Sequence, residues 1–394
     1  MINNNLILKS NEITECLLMN WKDSNAGLMA GKSGILLYFS KLLTIENNSK
    51  YQSVIQEISE SIFEDIQKQE LTPNLTDGLP GISWTFLHLK KAGIIDFDIS
   101  ENTDINDYIF KSMKIANSKK NYDYFYGSIG NLLYFLEEPV KFQKEIQDGI
   151  DDLIKISTIS DNKRKWVSYD VEKGEEGTYY DLGIPHGHGA ILYVLAKAYE
   201  TGLFKSTLKD YLYETLNFVT SCHNTNQMES HYPQYYYLNQ RYNQDSRLGW
   251  CYGDIGLSMI IIYASDLLKD STLKKNSIDV LLKSCNRLDL EHNSIYDNGI
   301  CHGTSGLAHM YKKIYSITGH EKFNSTSQYW LNKTMQMSNR TDGYAGFIAR
   351  HGVEEWNKTL GLLEGITGIG LVLLDEIYGN SDSKITWDKP FLFG

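Results

Sequence analysis

The sequence predicts an all-α fold, a double ring of seven inner and seven outer helices closed into an α/α toroid, and three observations predict it. A Gly-x-x-Gly turn recurs seven times. Each turn opens a run that is apolar nearly all round, as in a helix buried on most faces. Between the runs lie more polar stretches whose apolar residues fall three and four apart, the mark of a surface helix with one buried stripe. The turns are separated by about 45 to 70 residues, room for one helix out, one helix back and their loops. Closing the array into a ring gives every repeat two neighbours, so no end is left exposed.

Taken in order, the turns are Gly31-Lys-Ser-Gly34 before ILLYFSKLL, Gly78-Leu-Pro-Gly81 before ISWTFLHLKK, and Gly127-Ser-Ile-Gly130 before NLLYFLEEP. The fourth is degenerate, Gly187-His-Gly-Ala190 before ILYVLAKAY. Then come Gly253-Asp-Ile-Gly256 before LSMIIIYASDLL, Gly303-Thr-Ser-Gly306 before LAHMYKKIY, and Gly365-Ile-Thr-Gly368 before IGLVLLDEIY. Surface-helix patterns include Tyr51 to Phe63 and Ser206 to Leu216. Glycine at a helix entry is expected to supply positive φ and close approach. The first N–H groups of the seven helices are expected to form a mildly electropositive rim at a central mouth. Two intervals are elaborated. The first, about 140–185, contains the strand-like Lys163-Arg-Lys-Trp-Val-Ser-Tyr-Asp and ends in a turn. The second, 223–247, carries five tyrosines and is a candidate substrate-facing loop, with an ordinary polar loop as the alternative. Length alone suggests two or three domains, but the repeats override it and a single domain over 1–394 is expected.

Composition narrows the class. Apolar content of 42% and charged content of 22% describe an ordinary globular chain with a large core. Net charge is −11 and no basic cluster stands out, which argues against a nucleic-acid partner. The first residues lack a charged segment followed by an apolar one, and no apolar run approaches the ~20 residues of a membrane span, so a cytoplasmic protein is expected. Five cysteines, few and odd in number, read as reduced thiols. The 27 tyrosines suit a surface that grips a peptide, or reflect the biased usage that the many Asn, Ile and Lys residues also fit.

The chemistry gathers in two stretches, Arg247-Leu-Gly-Trp-Cys251-Tyr-Gly253 and Asn298-Gly-Ile-Cys301-His302-Gly303. Cys251 and Cys301 each stand two residues before a turn's first glycine, and His302 follows the second. A lone cysteine is usually a small buried hydrophobe. Matched positions in neighbouring repeats, with an imidazole adjacent, reverse that reading. Two thiols and one imidazole are the three protein ligands of a catalytic zinc site whose fourth position stays open for substrate. Cys222-His223 is a control: it has no glycine turn and ends a surface helix, so it reads as structural, as do Cys16 and Cys285. His186 stands before the fourth turn and suits a general acid or base. His188, inside that turn, is a second candidate for substrate contact or proton transfer. Asp123, four residues before Gly127, could orient His186 or simply cap a turn. Arg247 could steady negative charge on a substrate oxygen or form a surface ion pair. Trp250 and Tyr252 flank Cys251 and could contact substrate or pack in the core. His309 is taken as a satisfied core or lumen histidine.

These residues, in this order, resemble the lanthionine synthetase C-like cyclases, over about Gly31 to Gly370. Gly-Trp-Cys-Tyr-Gly, Cys-His-Gly, the upstream histidine-glycine motif and the final Leu-Glu-Gly-Ile-Thr-Gly form a specific set. The resemblance implies an α/α toroid of seven helix pairs and one zinc per chain on Cys251, Cys301 and His302. It implies His186, Asp123 and Arg247 as active-site residues, with Trp250 and Tyr252 as motif neighbours. The implied reaction belongs to lantibiotic biosynthesis. A thiol of a dehydrated precursor peptide (leader plus core) adds across dehydroalanine or dehydrobutyrine to give a lanthionine or methyllanthionine thioether. An upstream dehydratase and an ABC transporter are implied partners. Ala190 and His188 depart from the repeat pattern, which bears on the proton-transfer residue and not on the zinc ligands. Three alternatives stand beside this reading: addition of glutathione or another free thiol to dehydroamino acids, a carbohydrate-active toroid, and a non-catalytic peptide-binding scaffold. The carbohydrate reading needs paired carboxylates where this chain carries Cys and His.

Overall fold

The computed structural model describes residues 4–68, 71–170, 174–177, 179–203, 205–225, 228–237, 244–352, 355–379 and 384–393. Fourteen α-helices run through them in strict alternation. Seven follow the glycine turns: α2 (Lys32–Glu46), α4 (Leu79–Lys91), α6 (Ser128–Leu136), α8 (His188–Glu200), α10 (Asp254–Leu268), α12 (Thr304–Thr318) and α14 (Ile366–Tyr378). Seven precede them: α1 (Asn4–Asn20), α3 (Ser49–Lys68), α5 (Thr103–Ser118), α7 (Gln143–Lys155), α9 (Lys205–Ser221), α11 (Ser271–Ser284) and α13 (Glu321–Gln336). The even-numbered helices are buried on most faces; α6 is buried along its whole length. The odd ones bury a stripe, as α3 does with Tyr51, Ile55, Ile58 and Ile62. Each such isoleucine contributes about 1.5–3 kcal/mol of burial. No described helix is long and apolar enough to cross a membrane.

The glycine turns differ from expectation in two ways. Six of the seven first glycines are extended, and only Gly253 has positive φ, +87°. What the turns require is close backbone approach: a Cβ at Gly78 would lie 1.8 Å from the Thr72 carbonyl oxygen. The helix entries also lack side-chain caps. The first helical N–H instead donates to the carbonyl seven residues back, as in Lys32 to Asn25, Leu79 to Thr72, Ser128 to Asn121, Thr304 to Asp297 and Ile366 to Thr359. The loop thus satisfies its own helix start, and those N–H groups are not offered as an electropositive rim. In the fourth turn the approach falls on Gly189, where a Cβ would lie 3.0 Å from the Gly183 carbonyl oxygen, and Ala190 is accommodated.

The helices fall into two compact units, Met1–Thr103 with Ile295–Asp388, and Asp104–Ser294 with Lys389–Gly394. In the first, α14 packs on α1, α2 and α12, so the chain's first and last helices are neighbours. In the second, α8 packs between α6 and α10. The elaborated intervals hold short antiparallel pairs: β1 (Thr158–Ser160) with β2 (Lys163–Lys165), and β3 (Tyr169–Asp170) with β4 (Glu175–Glu176). β5 (Tyr179–Asp181) pairs with β6 (Tyr235–Tyr237), in register Tyr179 to Tyr237, and so joins the two elaborated loops to each other. Within 223–247, residues 226–227 and 238–243 lie outside the described residues, Tyr242 with them. β7 (Ala349–His351) and β8 (Glu355–Asn357) form a further hairpin.

Candidate functional site

In the second unit the third and fourth turns bring Asp123 and His186 together. Their Oδ2 and Nδ1 atoms lie 2.6 Å apart. Asp123 is buried, and its Oδ1 accepts the Phe125 and Tyr126 amides, each at 2.8 Å. A carboxylate held on three sides fixes the ring: Nδ1–H donates to Asp123 and Nε2 is the nitrogen left for exchange with a substrate. Tyr126 lies parallel to the imidazole and Phe125 stands edge-on to it. Burial pulls the His186 pKa down, but the bond to Asp123 and the charges of Asp123, Asp181 and Cys251 outweigh it and raise the pKa. The imidazolium is therefore favoured more than in a free histidine.

The fifth turn lies along the fourth. The Ile184 amide donates to the Cys251 carbonyl at 2.9 Å, and a Cβ on Gly183 would run into the Tyr252 ring. Cys251 is buried, and Tyr252 donates its hydroxyl to Asp181 Oδ2 at 3.2 Å. Asp181, absent from the sequence-based set, is buried; its Oδ1 accepts the Gly183 amide at 2.7 Å. Burial pushes its carboxyl up to about 7, against the lowering effect of His186, the Gly183 amide and Tyr252. A signal for Asp181 was present in the repeat. Six residues ahead of the first glycine stand Asn25, Asn121, Asp181, Asp297 and Thr359, and each accepts the amide two residues on. Arg247 heads the fifth turn, half-buried, and makes no ion pair with another described residue.

Two expected substrate contacts take other roles. Trp250 is fully buried: its indole N–H donates to the Phe391 carbonyl at 2.6 Å, and its ring packs on Phe125 and Phe391. It anchors the C-terminal segment, as Tyr124 does by donating to the Pro390 carbonyl. His188 is the first residue of α8 and is fully buried. Its Nδ1 lies 2.7 Å from the Asp181 carbonyl oxygen, and its Nε2 accepts the Trp166 amide at 3.2 Å. Both nitrogens are engaged by backbone, and burial lowers its pKa to about 4. His188 is therefore a neutral packing residue with no nitrogen to offer a substrate. Cys222 is also a buried packing residue, its thiol pushed up to about 12 by burial.

In the first unit the sixth turn presents Cys301, buried, and His302, partly exposed. The Ile300 and Cys301 amides both donate to the Leu363 carbonyl, at 2.8 and 3.2 Å, which ties this turn to the seventh. Asp297 holds the loop behind it, accepting the Gly299 and Arg350 amides, each at 3.0 Å. His309, one helical face deeper, is a satisfied core histidine. Its Nε2 meets Asp388 Oδ2 at 2.8 Å, and Lys313 reaches the same oxygen at 2.6 Å. Burial pushes the Asp388 carboxyl up, but His309 and Lys313 outweigh it and hold it below the usual range.

The model of the family described as lanthionine synthetase C-like protein matches residues 22–392. Among curated proteins, the nisin biosynthesis protein NisC of Lactococcus lactis subsp. lactis is 23% identical over 378 residues, 88% of this chain and 84% of that one. Among solved structures, a nisin cyclase superposes with a TM-score of 0.75 at 20% identity, covering 99% of this chain and 97% of the other. The match, with its alternating helices, sets the fold class as the all-α toroid. The family model spans nearly the whole chain, all seven glycine turns with it, and the chain belongs to the lanthionine synthetase C-like family.

Proposed function

We propose that the protein is a zinc-dependent peptide cyclase that forms thioether rings in a dehydrated precursor peptide. The observation that carries this reading is the His186–Asp123 pair beside Cys251, in a chain of this family. Cys251, Cys301 and His302 stand at matched places in the fifth and sixth turns, two thiols and an imidazole of the kind that can hold a metal ion. Two thiolates and an imidazole are a donor set that zinc accepts, three ligands leave a position open, and so the residues present fit the ion. Bound there, zinc would supply the Lewis acidity that favours the thiolate of a substrate cysteine at neutral pH.

The chain's own groups account for the rest. In the addition, the substrate sulfur bonds to the β-carbon of the dehydroamino acid, and the double-bond electrons move to an enolate on the neighbouring carbonyl. The α-carbon then takes a proton, so the thiol hydrogen is replaced overall by a C–H bond. His186, held as imidazolium by Asp123, is the proton donor through Nε2. The guanidinium of Arg247, which makes no ion pair among the described residues, steadies the enolate oxygen. Holding thiol and alkene at one place supplies proximity. The substrate is the precursor peptide, leader plus core, worked on in the cytoplasm with a dehydratase and an ABC transporter as partners. The family match running through both units supports one domain over 1–394.

Elemental analysis tests the centre. One zinc per chain is expected in the wild type, and its loss in Cys301→Ala. Wild-type protein that neither contains zinc nor takes it up would remove the thiolate mechanism and leave a peptide-binding scaffold. Thioether formation in a peptide, against addition of glutathione to the same peptide, separates the cyclase from the free-thiol reading.

A further inference from the structure

The β5–β6 ribbon carries a row of tyrosines that the mechanism leaves unused. Strand geometry puts Tyr179, Asp181, Tyr235 and Tyr237 on one face and Tyr180 and Tyr236 on the other. The second face is spent on packing: Tyr180 is buried, and both rings meet Phe218 of α9. On the first face Asp181 is buried and the three tyrosines are half-buried. Its rings form a continuous path. Tyr237 lies 5.8 Å from Tyr179, Tyr179 lies 4.6 Å from Tyr235, and Tyr235 lies 5.9 Å from Tyr252, centroid to centroid. Tyr252 is the residue after Cys251, and its hydroxyl is held by Asp181 on the same face.

We infer that this tyrosine face is a binding site for the peptide substrate, seating an extended segment that flanks the reacting cysteine and leading it to Cys251 and His186. The inference rests on the cyclase reading and names where that substrate is gripped. The occupant follows from continuity: the row starts next to a proposed ligand of the zinc and runs outward from it, as a track for a chain would. The chemistry also fits. Tyrosine rings offer broad, rigid contact at low entropic cost and tolerate varied side chains. Dehydroalanine and dehydrobutyrine are flat conjugated residues, well shaped to lie on ring faces. Antiparallel pairing fixes the ribbon's register, so the platform is formed before substrate arrives.

The test compares the wild type with Tyr179→Ala/Tyr235→Ala and Tyr179→Phe/Tyr235→Phe. The probe is a synthetic peptide bearing one dehydroalanine and one cysteine, with ring closure read as loss of thiol alkylation. The alanine pair is expected to raise KM about tenfold or more, two rings at roughly three- to fivefold each, with kcat within about twofold. The phenylalanine pair loses the Tyr235 hydroxyl's bond to Tyr252 but keeps both ring faces, so its KM is expected to stay within about threefold of wild type. An unchanged KM in an alanine pair that retains wild-type zinc content and circular dichroism would overturn the inference, as would a loss confined to kcat. If the alanine pair fails to fold, a photoreactive benzoylphenylalanine at position 237 replaces it as the test. Crosslinking to the peptide supports the site, and its absence with normal turnover overturns it. A wild type that closes no ring is a different failure, that of the cyclase reading itself, and the platform falls with it.

Discussion

Two histidines two residues apart end in opposite states at the fourth turn. His186 stands just before the helix, partly exposed, with Asp123 on Nδ1, and its pKa is raised. His188 opens the helix, is wholly buried among backbone groups, and its pKa is lowered to about 4. A charged partner outweighs burial in one case and is missing in the other. If His186 delivers a proton, ring closure slows as pH rises through its pKa. Asp123→Asn removes the charge that raises that pKa, so the falling limb of the pH–rate profile is expected to move to lower pH, with kcat down about tenfold or more. An unmoved limb in a folded, zinc-loaded variant would assign the limb to another group.

The seven turns behave as one device at the scale of the element. In five of them a loop of seven residues folds back and its first carbonyl receives the first helical N–H, and in all seven the glycine leaves room for close backbone approach. Gly78→Ala puts a methyl group against the Thr72 carbonyl oxygen, and the loop must open to admit it. The expected loss is about 3 kcal/mol, read as a lower urea midpoint at unchanged slope. Wild-type stability in that variant would show that the loop yields without cost. The glycines were legible in the sequence as spacing; the bond from the first helical N–H back to its own loop was not, for spacing alone points those groups at a central mouth. Nor was it legible that the requirement is close approach rather than positive φ, because one glycine residue serves either purpose.

For the molecule as a whole, the titration of enclosed groups makes stability depend on pH. His188 has a folded pKa of about 4 against an ordinary value near 6.5. A depressed histidine favours the fold above its unfolded pKa and withdraws that support as pH falls. Its contribution is therefore intact at neutral pH and lost between about 6.5 and 4, by up to about 3 kcal/mol. His231, lowered to about 4 by burial, has the same sign. His186, raised, has the opposite one and gives up its contribution as pH climbs. Asp181, its carboxyl raised to about 7, also has the opposite sign and favours the fold more as pH falls below 7, so the His188 contribution is read by difference: in urea unfolding from pH 8 to 4, the stability gap between wild type and His188→Gln is expected to narrow below pH 6.5. A gap that stays constant with pH would show that His188 does not titrate on unfolding.

The sequence by itself determined the helix count, the alternation of buried and half-buried helices and the position of every glycine turn. These depend on local spacing, which a chain carries in any conformation. It also determined the donor types, two thiols and an imidazole at matched turns, because chemistry is written in residue identity. Only the tertiary structure decided which polar groups meet. Asp123 and His186 stand 63 residues apart in the chain and 2.6 Å apart in space. Asp181 accepts a turn amide on one oxygen, as its counterparts in the repeat do, and only the fold brings Tyr252 to the other. Trp250 and His188 carried the right neighbours for a substrate contact, yet burial gave one to the C-terminal segment and the other to backbone. The pairing of β5 with β6 was beyond spacing too, for each strand has three residues and too weak a pattern to announce a distant partner. Which side chain faces a site depends on the burial and the long-range contacts that the whole fold imposes, and no stretch of sequence holds those alone.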